Sequence, residues 1–386
     1  MLSELQDDEP ELQYFSDSDT SDFETISSTP FSTISRTLAT IDASPIPQVV
    51  AVKMSSLTRR WAKEPHDIVR EGRVLASLAH PNVIELIDTS KEARDNTLSL
   101  WMPYVPYSLD RFLDLHLTPD SPTHILILAK SIQYQIFNGV SYLHANGVAH
   151  RDIKPSNILI TSEGVVKLID FGVCWAEQSS SGDLFPEMRK RGDEGKGLYF
   201  EVCTGPYRPP ELLFGTRDYD PYAVDMWSIG CVLAEFYTPF QFNNETRRKE
   251  RQALFNAPSE LGLIWSIFSQ LGTPTNDVWP GWEDLPDAGR VQWTVVPPKP
   301  LADALPHLPT EPQFHPLEVI ENLLVYPPKK RHRPTDSLSL EYFKSEGVVL
   351  PIGYGDGTGV NVYEGYTLGD ILLESFDVDN SNNYGH

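Results

Sequence analysis

Two short runs hold residue types that could move a phosphoryl group. Residues 150–160 read HRDIKPSNILI, and residues 167–172 read KLIDFG. The carboxylate Asp152 precedes the amide Asn157 by five positions, with Lys154 between them. A second carboxylate, Asp170, closes a strand-like run. Phosphoryl transfer asks for this set. One carboxylate orients the attacking hydroxyl and accepts its proton. An amide oxygen and a second carboxylate hold Mg²⁺ on the phosphates, and a lysine offsets charge on the γ-phosphoryl group. Each residue alone would be ordinary; the order and spacing together carry the signal.

Folded elements must position these side chains. From Phe23 to about Met102 the pattern is β-rich around one helix. FETISS, STISRTLAT and VVAVK read as strands, and VIELID and TLSLWMPYV as two more. HDIVREGRVLASLAH places Ile68, Val74, Leu75 and Leu78 on one helical face. After SLDRFL the pattern turns helical. HILILAKSIQYQIFNGVSYLHANG predicts a long helix stopped by Gly147, and VDMWSIGCVLAEFY a buried one. A small β-rich lobe therefore precedes a larger helical lobe. Residues 1–22 are expected to be an acidic disordered tail, 23–344 the folded domain, and 345–386 an acidic extension.

The chain has 386 residues and a net charge of −23. That charge argues against a nucleic-acid partner, because phosphate backbones need Lys and Arg. Nine Asp or Glu fall in the first 24 residues, and no Lys or Arg precedes Arg36. Three cysteines, an odd number in no metal pattern, fit a reducing compartment. With no secretory signal and no long apolar run, an intracellular location, cytoplasm or nucleus, is expected, and no membrane span.

The motifs resemble the eukaryotic protein kinase family, from about Phe23 to about Phe343. The resemblance implies an α+β, two-lobed fold using ATP and Mg²⁺, with ATP in the cleft. Asp152 and Lys154 would be catalytic, and Asn157 and Asp170 would hold the metal. Lys53 of VVAVK would contact the α- and β-phosphates, paired with Glu71 of REGRVL rather than with Glu64. Ile26, Ile34, Ala51 and Leu159 would face adenine, Met102 would guard the back pocket, and Pro103, Tyr104 and Val105 would offer backbone groups to the base. Glu211 of TGPYRPPELLFG would pair with Arg331, which makes KKRHR structural rather than a nuclear signal. Asp225 would brace the catalytic loop. QLGTPTNDVWPGWEDLPD and PHDIVRE resemble phrases of cyclin-dependent kinases.

Three departures stand out. Ser27, Thr29 and Ser32 replace the glycines of the loop that covers the phosphates, and the first glycine of the chain is Gly72. Pro30 and Phe31 replace its inhibitory Thr-Tyr pair. Tyr199 stands at the activating threonine, and Trp175 replaces one arginine of the cluster that includes Arg70 and Arg151. With the catalytic residues retained, activity is expected. These departures resemble the fungal single-chain kinases that activate cyclin-dependent kinases. The expected substrate is then a cyclin-dependent kinase, phosphorylated on its activation threonine, with a cyclin possible but not required. Two other readings stay open: a conventional cyclin-dependent kinase needing a cyclin, and a pseudokinase scaffold.

Overall fold

The computed structural model describes residues 13–14, 23–41, 46–57, 65–92, 94, 96–114, 118–176, 198–244, 247–355 and 359–382. They divide into two units, Met1–Leu78 with Ile84–Val105, and Ala79–Val83 with Pro106–His386.

The first unit is an antiparallel sheet and one helix. Its strands are β1 (Gln13–Tyr14), β2 (Glu24–Ser28), β3 (Thr33–Thr40), β4 (Gln48–Ser56), then, after helix α1 (Ile68–Ala76), β5 (Asp88–Glu92) and β6 (Thr97–Pro103). The order is β1-β3-β4-β6-β5, with β2 also paired to β3. Alternation in β3 buries Ser35, Thr37 and Ala39 and leaves Leu38 exposed, the period-2 pattern of a half-buried strand. Ala39, Val50, Val52 and Trp101 form the core, with Ile41, Met54 and Ile87 against it. Helix α1 starts where Asp67 accepts hydrogen bonds from Val69 N and Arg70 N, which satisfies two orphan donors of the first turn. It buries Glu71, Gly72, Val74 and Leu75. A Cβ on Gly72 would lie 3.0 Å from Leu100 Cδ2, so glycine lets the helix lie close on β6.

One strand differs from expectation. VIELID is not continuous: Val83 makes an isolated bridge to Leu168 within the second unit, and β5 begins only at Asp88. The run is divided between the units, Val83 in the second and Ile84 to Asp88 in the first, and only Val83 and Ile84 are buried, so a short apolar run is an ambiguous strand signal.

The second unit is mainly helical. Strand β7 (Tyr107–Ser108) leads into α2 (Leu109–Leu113) and α3 (Thr123–Ala145), which Asn146 ends ahead of left-handed Gly147. Short strands follow: β8 (Val148–Ala149), β9 (Ile158–Ile160), β10 (Val166–Leu168) and β11 (Trp175–Ala176). After α4 (Pro210–Leu213) comes α5 (Pro221–Glu235), apolar on nearly every face and correspondingly buried. The remaining elements are hairpin β12 (Phe240–Asn243) and β13 (Arg248–Arg251), then helices α6 (Glu260–Leu271), α7 (Leu317–Leu323), α8 (Pro334–Leu338), α9 (Glu341–Lys344) and α10 (Leu368–Asn382).

The acidic extension packs on α3. The buried ammonium of Lys130 donates to Gln313 O, Ser345 O, Ser345 Oγ and Glu346 O at 2.7–3.2 Å. Burial lowers its pKa to about 8. Ser131 Oγ accepts from Val349 N at 2.9 Å, and the Tyr354 hydroxyl meets Asn138 and Asn82. In α10, Leu368 lies over Gly164 and Phe376 stacks on Tyr107 at 4.7 Å. The acidic N-terminal stretch lies outside the described residues except for Gln13–Tyr14, whose backbone pairs with Ala39 and Thr40. Among the described residues no helix is long and apolar enough to cross a membrane.

Candidate active site

The loop between β8 and β9 takes its shape from one buried carboxylate. Asp225 of α5 accepts from His150 N at 2.8 Å and Arg151 N at 2.7 Å, and His144 Nε2 lies 2.9 Å away. This is the brace the sequence leads one to expect. It fixes Arg151 in a left-handed backbone conformation, φ 62°. Asp170 (φ 64°) and Cys203 (φ 65°) share that conformation, so three of the six non-glycine residues with positive φ among those described cluster near this loop.

Asp152 is the hub. Its Oδ2 accepts from Lys154 Nζ at 2.9 Å and from Asn157 Nδ2 at 3.1 Å, while Oδ1 accepts from Thr204 Oγ1 at 2.7 Å. Lys154 Nζ also donates to Thr204 Oγ1 at 2.7 Å, and Asn157 Nδ2 to Asp152 O at 2.8 Å. The Asn157 NH₂ is thus spent on Asp152, which leaves the amide oxygen as an acceptor. Backbone bonds bring Asp170 to the same place. Its neighbour Ile169 donates to Asn157 O at 3.0 Å, and the Ile169 carbonyl lies 2.8 Å from His150 Nε2. Phe171, fully buried, packs its ring on His150 at 4.8 Å. The structure therefore brings together Asp152, Lys154, Asn157 and Asp170, with Leu159 close by on β9.

Among the described residues, no cluster of three or more His, Cys, Asp or Glu could hold a metal ion by protein groups alone. Asn157 and Asp170 offer one amide oxygen and one carboxylate. That donor set fits Mg²⁺, which keeps waters and takes one or two protein oxygens plus substrate phosphates.

The first unit holds the other expected residues. Lys53 Nζ donates to both Glu71 oxygens at 2.7 and 2.8 Å, with both side chains buried. A buried ion pair needs close geometry to offset its desolvation, and a two-oxygen grip supplies it. Glu64 lies outside the described residues. Ile34 stands opposite Ser27 and Lys53, and Ala51 opposite Met102. Met102 and Val105 are buried, Pro103 is half-buried, and Ile26 is exposed beside a bulge between Thr25 and Ser27.

Residues 198–211, the described stretch that ends at Glu211, are held by protein groups. Arg151 donates to Val173 O at 2.9 Å, Tyr219 OH at 3.0 Å and Cys174 O at 3.4 Å. The Tyr219 hydroxyl donates onward to Tyr199 O at 2.5 Å. Tyr199 packs on a core of Val173, Val202, Leu212 and Val224, and Trp175 packs edge-on against Tyr222. Cys203 Sγ donates to Arg151 O at 2.9 Å, and all three cysteines are free thiols. Residues 177–197 lie outside the described residues.

Arg331 grips Glu211 through two bonds at 2.6 and 2.7 Å, the pair the sequence leads one to expect, and Lys329 and Lys330 beside it are exposed. Thr204 does not stand out from sequence, although it opens the run TGPYRPPELLFG; a hydroxyl at that fixed distance before the Pro-Glu pair is the signal that finds it. Tyr207 donating to Glu235 Oε2 at 2.7 Å is equally hidden, because Glu235 ends a mostly apolar helix and its partner lies 28 positions away.

Comparison with known proteins gives the family. A family model described as "Protein kinase domain" matches residues 40–343. Cyclin-dependent kinase 11 of Dictyostelium discoideum is 32% identical over 77% of this chain and 73% of its own length. A serine/threonine-protein kinase of Yarrowia lipolytica is 33% identical, and cyclin-dependent kinase G-1 of Oryza sativa subsp. indica 31%, each over 77% of this chain. The match spans only 40% and 39% of those two proteins. A chain of the yeast RNA Pol II CTD kinase CTDK-1 complex superimposes with TM-score 0.64 and 29% identity, over 89% of this chain and 99% of that one.

Proposed function

The chain belongs to the protein kinase family and is a serine/threonine kinase of the cyclin-dependent branch; from that premise we propose an enzyme that works as a single chain and phosphorylates the activation segment of another cyclin-dependent kinase. The observation that carries this reading is the state of Arg151, whose guanidinium is taken up by Val173 O, Tyr219 OH and Cys174 O. No phosphate on its own segment is needed to engage it.

In the proposed mechanism Asp152 orients the substrate hydroxyl and accepts its proton. Thr204 and Lys154 hold the carboxylate in place, and Lys154 also offsets charge on the transferring group. Lys53, gripped by Glu71, would contact the ATP phosphates. Asn157 and Asp170 would hold Mg²⁺, which when bound neutralises charge on the phosphates. Ile26, Ile34, Ala51 and Leu159 are proposed to face adenine, with Met102, Pro103 and Val105 behind and beside it.

A second reading takes its support from the solved relative, a yeast RNA Pol II CTD kinase complex. It makes this chain the conventional cyclin-dependent kinase that PHDIVRE suggests, one that needs a cyclin and acts on an RNA Pol II CTD. The test is incubation of the purified chain with labelled ATP and either an unphosphorylated cyclin-dependent kinase or an RNA Pol II CTD. Label on the activation threonine, with no cyclin added, supports the first reading. Label on the CTD alone, and only with a cyclin, replaces it with the second. Label on neither removes both.

A further inference from the structure

The hairpin between β2 and β3 has no glycine, yet it closes tightly. Thr29 Oγ1 accepts from Phe31 N at 3.2 Å and Ser32 N at 3.1 Å. Thr29 N donates to Ser32 O at 2.9 Å, and Pro30 has no N–H to offer. Every backbone donor from 29 to 32 is thus absent or used within the turn. A hydroxyl side chain does the local work that a left-handed glycine would do elsewhere. The turn is a finished object that needs no ligand to close.

Its tip is tied down in two places. The Phe31 carbonyl accepts from Ser55 Oγ at 2.7 Å, on β4. The Phe31 ring stacks on His66 with centroids 4.2 Å apart and planes within 21°. His66 immediately precedes Asp67, the residue that caps α1. One turn into α1, Glu71 grips Lys53, two positions from Ser55 on the same strand. Residues i and i+2 of a strand share a face. The contacts therefore form a closed loop on that face: Lys53, Glu71, the α1 cap, His66, Phe31, Ser55, and back along β4.

We propose that Phe31 and His66 are a latch, in which the hairpin tip holds the start of α1 so that the Lys53–Glu71 pair stays closed without a partner protein. Phe31 is then a positioning residue that acts on catalysis through Glu71. A 43% exposed aromatic at a hairpin tip gains little from burial, so its stack on His66 is the contact that orders it. The loss of the glycines and the independence of α1 become two sides of one arrangement: a turn stiff enough to act as a strut.

The test uses the full chain. Phe31→Ala is expected to lower kcat/KM at least about tenfold and to speed amide exchange in residues 67–76, with the second unit unchanged. Phe31→Tyr, which keeps the ring, should restore both. His66→Ala should reproduce the defect, and the double variant should be no worse than either single one. Normal exchange across α1 in Phe31→Ala overturns the latch, even with reduced activity, because the ring would then act on nucleotide directly. Additive losses in the double variant overturn it as well.

Discussion

Thr204 and Asp152 sit 52 positions apart in sequence, yet the threonine hydroxyl donates to the aspartate Oδ1 across 2.7 Å while accepting from Lys154. The threonine thereby joins the base to the lysine and sets the angle of both. Thr204→Ala should lower kcat about tenfold or more with little change in KM for ATP, and Thr204→Ser should restore most of it. Steady-state assays on a protein substrate decide this; a normal kcat in the alanine variant would reduce the threonine to a spectator.

Asp170 offers the carboxylate for metal. Asp170→Asn is expected to cut transfer by about a thousandfold, the scale lost with one key electrostatic group. It should also abolish the Mg²⁺-dependent part of the rise in Tm caused by ATP, and chelating Mg²⁺ should do the same to the unaltered chain. A full Mg²⁺-dependent shift in the variant would contradict the assignment.

Tyr219 links Arg151 to the backbone of Tyr199. Tyr219→Phe removes both bonds but keeps the ring, so activity should fall several-fold with the fold intact, since each bond is worth about 1 kcal/mol. Phosphatase treatment of the unaltered enzyme should leave its rate unchanged. A loss of activity on dephosphorylation would show that a phosphate, not Tyr219, orders the segment.

Glu235 is buried, and its pKa rises to about 7 from 4.5, through desolvation, with Asp114 and Asp110 adding to it and the Tyr207 hydroxyl opposing it. An acid whose folded pKa is raised stabilises the fold fully below its unfolded pKa. That contribution, about 3 kcal/mol, is lost as pH climbs from about 4.5 through about 7. Glu235→Gln keeps an acceptor for Tyr207 and removes the titration. The stability difference between variant and parent should therefore move in favour of the variant from pH 5 to pH 8, as read by denaturant melts. A difference that stays flat with pH would refute the linkage.

What can be read from the chain follows the range of each interaction. Asp152, Lys154 and Asn157 are legible because six consecutive positions carry them, and β3 because its alternation is local. The Glu211–Arg331 pair is reached only through resemblance, as 120 positions separate the partners. Thr204, remote from Asp152, escapes notice because a lone hydroxyl has no pattern. The polar residues of α3 tell the same story. Lys130, Ser131 and Gln133 interrupt an apolar run, and nothing nearby reveals that their partners arrive from Tyr237 and from 313 to 349. VIELID misleads for the opposite reason, since a short apolar run reads as a strand whether or not its residues pair in one.

Lys130 finally sets how far this enzyme can be shortened. A chain stopped at Lys344, the last residue of α9, would strand an ammonium in the core with most of its acceptors deleted. It would also bare the floor on which Val349 and Leu368 rest. Anyone trimming the gene for expression should cut beyond Phe376, whose ring still leans on Tyr107.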